Sequence, residues 1–323
     1  MKKPVDHYQD SYWNDLPAVL AYLCRRATGR ADLWWMDYFK QRYAAQPFKR
    51  GLIVACGNGW VERSLIDRGI AEHFDAFDSA EHYLKEAEAQ KGTRSIRYFQ
   101  SGFATFQPRE RYDLIVNVAA LHHAQYLYRH LSRLTGALAP GGVFVHFEYV
   151  GPSRNQYSED HVSRMAAVNQ SLPARFRTTH ALRPSLLGAV RGDPTEAIHS
   201  AEIVSALGAY FDLEEFRELG GGVAYQILWN NTSEFARDDA EAQSVLATLI
   251  QEDEEMTRSG AVPNLFAFLV CRPLLSPGGV VVLWRGILQY LIEPARELLA
   301  RVTFGLYPAE LLRAAIRRLR SWA

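Results

Sequence analysis

The chain has 323 residues, 48% of them hydrophobic, with 36 basic side chains balanced by 36 acidic ones. That content supports a substantial core in one large domain or two small ones, and a formal net charge of zero removes the global attraction used by nucleic-acid binders. The three cysteines, Cys24, Cys56 and Cys271, have no ligand spacing. Together with an N-terminus, MKKPVDHYQDSYW, in which no apolar run follows the lysines, they make a reduced cytoplasm the expected location.

Between residues 13 and 43, Leu16, Val19, Leu20 and Leu23, then Trp34, Trp35, Tyr38 and Phe39, recur at helical spacing around a break at Thr28-Gly29, predicting a helical cap over 1–45. A core unit, 46–272, follows. Its pattern alternates: strand 51–55, helix 60–70, strand 73–77, helix 80–90, strands 95–99 and 112–117, helix 126–138, strand 142–148. Pro140-Gly141-Gly142 is expected to end the last helix and launch the fifth strand. Residues 151–206 read as a lid insertion with helices at 158–171 and 200–209.

Strands at 211–217, 222–229 and 264–271, with an acidic helix at 238–258, are expected to complete the sheet with an antiparallel edge. The predicted fold class is α/β: a Rossmann-like, seven-stranded, mostly parallel sheet with helices on both faces. From Arg272 to Ala323 there are eight arginines against three glutamates, a surplus of five positive charges. The run 278–292 is interrupted by Arg285 and Gln289 and ends at Glu293-Pro294, too short and polar to span a bilayer. Within 308–322, Arg313, Arg317 and Arg320 share one helical face and Leu312, Ile316 and Leu319 another, predicting a basic amphipathic tail open to a peripheral membrane or protein contact, or packed on the domain.

The most informative stretch is 52–60, Leu-Ile-Val-Ala-Cys-Gly-Asn-Gly-Trp: an apolar strand, a glycine-bearing turn and a helix start. Gly57 and Gly59 let the backbone pass close under a flat, polar ligand. Asp78, nineteen residues after Gly59 at the end of the next strand, suits two ribose hydroxyls. A dinucleotide fingerprint would have a third glycine where Glu62 stands, which argues against NAD or FAD.

ACGNG, FDAFDSA, YDLIVNVAALHH and LAPGGVFVHFEYVGPSRNQYS, in that order, resemble a class I S-adenosylmethionine-dependent methyltransferase. DPTEAIHSAEI, LGGGVAYQILWNNTSEF and GAVPNLFAFLVCR resemble the later part of a bacterial group of such enzymes often associated with surface-glycan assembly, so that the resemblance covers roughly residues 8 to 272. It implies S-adenosyl-L-methionine as cofactor, held by Ala55, Cys56, Gly57, Gly59, Asp78, Ser79, Ser101, Gly102, Phe103 and Val118. It also implies a cap in which Tyr8 and Trp13 serve as lid residues, against the reading that these aromatics pack the helices onto the sheet. The chain departs from the family pattern at Ala55, where the first glycine is usual, at Ile53, where an acid is frequent, and at Ser101, where an acid usually meets the adenine amine.

Methyl transfer from a sulfonium requires alignment and desolvation of the acceptor, with no metal or covalent nucleophile. A hydroxyl acceptor also needs a base, and His122 or His123, at the C-terminal end of the fourth strand, is the candidate; the alternative is a helix cap or a hydrogen bond to the loop. Tyr149, Arg154, Glu196 and His199 are expected at the substrate, Arg154 either holding an anion or pairing with Glu148 or Asp160. The expected function is methyl transfer to a small-molecule acceptor, a sugar or glycan precursor, without nucleic acid. A non-catalytic scaffold in a glycan-assembly complex and a natural-product O-methyltransferase remain open.

Overall fold

The computed structural model describes residues 12–229, 231–237, 239–274 and 279–302. Seven strands, β1 (Gly51–Val54), β2 (Phe74–Asp78), β3 (Ile96–Gln100), β4 (Tyr112–Val118), β5 (Leu138–Tyr149), β6 (Phe211–Gly220) and β7 (Phe266–Pro273), form one sheet in the order β3-β2-β1-β4-β5-β7-β6. The first five pair in parallel, and β7 runs antiparallel between β5 and β6. The apolar runs of β1 and β4 are buried because helices cover both faces: Ile53 enters one core, Leu52 and Val54 the other.

On the Ile53 side lie the N-terminal helices α1 (Pro17–Thr28) and α2 (Trp35–Tyr43), then α3 (Trp60–Asp67). Gly29, in the left-handed region at φ 83°, closes α1 where the Thr28-Gly29 break was expected. After β2 comes α4 (Glu81–Gln90), and after β4 comes α5 (Leu127–Ala137), on the opposite face. Between β5 and β6 the chain forms α6 (Glu159–Ser171), α7 (Leu186–Gly192) and α8 (Ile203–Gly208). Between β6 and β7 it forms α9 (Ala224–Trp229), α10 (Thr232–Phe235) and α11 (Ala240–Arg258). Helix α12 (Gly279–Val302) follows β7.

Two expectations are corrected. The strand expected at 222–229 is helix α9. Gly220 and Gly221 turn the chain at φ 83° and 85°, and the buried Asp253 carboxylate of α11 accepts the N–H groups of Gly221, Val223 and Ala224 at 2.6–2.9 Å, capping a helix start. Pro140-Gly141-Gly142 does not precede β5 but lies within it. The register passes from Tyr112↔Leu138 to Leu114↔Val143, so the extra residues are absorbed as a bulge at which Arg272 donates to the Gly141 carbonyl at 2.8 Å. Helix α12 continues through the end of the apolar run at Glu293-Pro294: the Tyr290 carbonyl, which Pro294 cannot serve, accepts Arg129 Nε at 3.4 Å. Tyr8 and the amphipathic segment 308–322 lie outside the described residues.

Asp253 also accepts the Tyr22 hydroxyl at 2.8 Å, tying α1 to the turn before α9. Asp253→Ala strands four buried donors and should lower the unfolding free energy by about 2–4 kcal/mol in urea titration, as expected for a buried charge-assisted cluster. A loss under about 0.5 kcal/mol would mean that these donors find other acceptors.

Candidate functional site

Strand order reverses between β1 and β4, so the crevice at their C-terminal ends is where an open α/β sheet binds ligands. Both strands leave the sheet through an alanine in the left-handed region, Ala55 and Ala119, each at φ 48°. Ala55 thus adopts the conformation for which the family uses glycine, at a cost of about 1 kcal/mol. Past it, Gly57 (φ 54°) donates its N–H to Asp78 Oδ2 at 2.8 Å, while Asp78 Oδ1 accepts the Ala80 N–H at 2.8 Å. Asp78 therefore first fastens the β1 turn to the end of β2, and the second lone pair of each oxygen is left for a ligand hydroxyl.

Glu62 sits beneath the turn rather than in the crevice. A Cβ added at Gly59 would come 2.8 Å from its Oε1 and 2.5 Å from the Tyr98 hydroxyl, and burial pushes the Glu62 carboxyl up to about 7. The exclusion of a dinucleotide cannot therefore rest on a pyrophosphate meeting this carboxylate.

Across the crevice, Glu148 at the end of β5 is fully buried and receives five donors. Its Oε2 accepts Asn117 Nδ2 at 2.9 Å and the N–H groups of Ala120 and Leu121 at 3.0 and 2.7 Å; its Oε1 accepts the Tyr149 N–H and His122 Nδ1, each at 2.6 Å. Burial alone would raise the Glu148 carboxyl, but the His122 charge and these hydrogen bonds outweigh it and hold the group below the ordinary carboxylate range. An ionised carboxylate only accepts, so Nδ1 of His122 carries a proton and Nε2 is the atom that titrates. Desolvation would lower His122, yet Glu148, helped by Glu196 and Asp193, pushes it up to about 9.

His122 Nε2 lies 3.9 Å, and His123 Nε2 3.6 Å, from Glu196 Oε2; His123 Nδ1 lies 3.2 Å from Thr195 Oγ1. The segment ending in His199 is thereby folded back over the exit of β4, with Ile198 N–H on the His122 carbonyl at 3.0 Å. His122, His123 and Glu196 place three donor atoms within 4.8 Å of one another, a set able to hold a metal ion.

These groups open on a cavity of about 1120 Å³, larger than a single drug-sized ligand needs. Ala55, Gly57, Asp78, Ser79, Gly102, Phe103, Val118, His122, His123, Tyr149 and Glu196 all line it. Cys56, Gly59, Ser101, Arg154 and His199 are not among its lining residues. Cys56 and Gly59 are buried within the turn. Ser101 Oγ is engaged with Thr105 at 3.2 Å. Arg154, itself at φ 57°, turns its guanidinium onto the Glu196 carbonyl at 3.2 Å, bracing the acceptor-side segment. His199 is held by Glu297 of α12 at 2.5 Å.

Trp13 lines the cavity and packs on Tyr225 and Phe266 with centroids 5.5 and 5.3 Å away. Sequence reasoning missed Asp193, Thr195, Gln125 and Tyr225, which line the same cavity. For Asp193 and Thr195 the signal at hand was the DPTE stretch that ends at Glu196.

An acid at the end of β2, a left-handed turn after β1 and a cavity at the switch point are what this α/β sheet presents to a ligand. Residues 52–146 match the family described as a methyltransferase domain. Uncharacterized methyltransferases of Mycobacterium tuberculosis and Mycobacterium bovis are 32% identical over 103 residues, 32% of this chain and 51% of theirs. A malonyl-[acyl-carrier protein] O-methyltransferase of Bacillus anthracis is 25% identical over 150 residues, 44% of this chain and 55% of that one. The chain thus spans about half the length of the curated relatives it matches. A solved S-adenosylmethionine-dependent methyltransferase from Mesorhizobium loti aligns at 17% identity over 74% of this chain and 96% of that one, with a TM-score of 0.43.

S-adenosylmethionine is the cofactor that a methyltransferase domain implies, and the residues present fit it. Asp78 keeps acceptor capacity for ribose hydroxyls, and Gly102, Phe103 and Val118 give the crevice an apolar wall for a base.

Burial pushes both His122 and His199 down, but their carboxylate partners raise each to about 9, above the ordinary histidine value of about 6.5. The stabilisation from these pairs is complete below about pH 6.5 and is lost as pH rises through about 9. Unfolding free energy measured in urea should therefore fall between these limits. A flat or rising profile would show that neither imidazole is held protonated in the folded state.

Proposed function

We propose that this chain transfers the methyl group of S-adenosylmethionine to a hydroxyl of a small-molecule acceptor, a sugar or glycan precursor, as a class I methyltransferase of the kind associated with surface-glycan assembly. The observation that carries the reading is the pair formed by His122 and the buried Glu148, 2.6 Å apart at the cavity edge opposite Asp78. The cofactor supplies an electrophilic methyl on a good leaving group. Asp78 and the backbone of Ala55 and Gly57 hold the nucleoside end, with Phe103 against the base.

His122, once neutral at Nε2, accepts the proton of the acceptor hydroxyl. Glu148 keeps Nδ1–H in place and stabilises the imidazolium that results. His123 and Glu196 lie close enough to fix the acceptor oxygen beside that Nε2.

The acceptor wall favours a sugar. Trp13, Trp34, Tyr149 and Tyr225 line it with aromatic surface suited to the C–H faces of a pyranose, and Asp193, Glu196 and Gln125 line it with acceptors suited to its hydroxyls. Among the described lining residues none is lysine or arginine, so a phosphate of a nucleotide sugar is not the part that lies here.

Calorimetric titration with S-adenosylmethionine and S-adenosylhomocysteine should give micromolar binding, with no heat from NAD. Asp78→Ala should weaken both by about 1–3 kcal/mol through the lost charge-assisted bonds. Failure of a folded sample to bind either compound would reject the reading and leave a non-catalytic scaffold.

With an acceptor found by screening sugar nucleotides, His122→Ala should lower turnover by roughly 10² to 10⁴ without changing cofactor affinity. Because His122 must lose its proton to act as base, turnover should climb with pH toward about 9. Glu148→Gln should move that rise to lower pH. Undiminished turnover in His122→Ala would leave alignment alone as the source of rate.

A further inference from the structure

Helix α12 lies beyond the last strand, and its two long faces differ. Toward the domain the helix makes specific polar contacts. The Tyr210 hydroxyl donates to the Gly286 carbonyl at 3.0 Å. Glu293 accepts the N–H groups of Tyr128 and Arg129 at 2.8 and 2.9 Å, and Glu297 accepts that of Tyr126 at 3.2 Å while pairing with His199. Arg296 forks onto both oxygens of Glu202, each at 2.8 Å.

Away from the domain, Ile287, Leu288, Leu291, Ile292, Leu298 and Leu299 are exposed, Leu291 and Leu298 at 65% each. Their spacing of three and four residues makes one stripe along the helix. These six are more than half of the eleven large apolar side chains exposed among the described residues. Scattered exposed leucines are ordinary; a concentrated stripe marks a contact surface.

Charge indicates what the stripe meets. The surplus of five positive charges from Arg272 to Ala323 belongs to a chain that is otherwise five negative. Of the three glutamates in that segment, Glu293 and Glu297 are buried against the domain, where Arg296 meets Glu202. Two copies of the chain meeting through this segment would bring like net charges together, whereas an anionic surface would attract it. Among the described residues no helix is long and apolar enough to cross a membrane.

We propose that α12 lies in the interface of an anionic lipid bilayer, its leucine and isoleucine stripe inserted among the acyl chains and the positive surplus of the segment 272–323 drawn to the headgroups. The inference rests on α12 itself and does not require the transfer reaction. If that reaction holds, docking has a consequence: the inner face of α12 grips 126–129, just after His122 and His123, and 199–202, just after Glu196. A docked α12 therefore holds the acceptor side of the cavity in fixed relation to the bilayer, where a lipid-linked acceptor is presented.

The test is co-sedimentation of the full chain with vesicles of phosphatidylcholine alone and of phosphatidylcholine and phosphatidylglycerol in equal parts. Binding to the mixed vesicles should exceed binding to the neutral ones about tenfold or more, and should fall at about 0.5 M salt. A double variant, Leu291→Glu with Leu298→Glu, should keep its near-ultraviolet circular dichroism and its S-adenosylmethionine affinity while losing the vesicles. Wild-type chain left in the supernatant, equal binding to both compositions, or undiminished binding by the double variant would each overturn the proposal. So would a lipid-free dimer that the double variant splits, which would give the face to a second copy. Failure to bind S-adenosylmethionine would strike at the transfer reading and leave this one standing.

Discussion

Glu148 is the group on which the site depends. One carboxylate without contact with solvent accepts two loop N–H groups, the next residue's N–H, a side-chain amide and an imidazole. Isolated, such a buried charge would be unfavourable by several kcal/mol; with five donors it becomes the point around which the exit from β4 is wound. Ala119 tolerates its left-handed φ because the next two N–H groups are already engaged. The orientation of His122, the path of 119–123 and the end of β5 are thus set by the same two oxygen atoms.

That arrangement puts stability and chemistry in opposition. Glu148 stabilises His122 in the protonated form, which cannot accept a proton, so the pH range that favours the pair disfavours the proposed base. A site optimised for folding alone would keep the ion pair. The polar crowding by Glu196 and Asp193 instead keeps the proton close to the cavity, where a hydroxyl can exchange it.

The first five strands were legible because each is a short apolar run ended by a turn signal, and because β1 and β4 must be apolar on both faces. Asp78 was legible from its spacing to the glycine turn. Helix α9 was not: Val-Ala-Tyr-Gln-Ile-Leu-Trp fits either period, and the deciding group, Asp253, comes from a helix some thirty residues later. The partners of Arg154 and His199 were not legible for the same reason, since the Glu196 carbonyl and Glu297 are brought to them by tertiary packing. Continuation of α12 through Pro294 was likewise invisible, because Arg129, which satisfies the Tyr290 carbonyl, stands in α5.

The cavity lining holds Asp15, Asp78, Glu148, Asp193 and Glu196 and, among the described residues, no lysine or arginine. On the proposed reading this asymmetry bears on turnover as well as binding. A sulfonium cofactor carries a positive charge that its thioether product lacks, so a negative cavity holds the reactant more firmly than the product. The proton released by the acceptor goes to His122, which then supplies inside the cavity the positive charge lost at sulfur. Net charge in the site is thereby conserved through the transfer, and the buried Glu148 never faces the low-dielectric interior without a cation beside it.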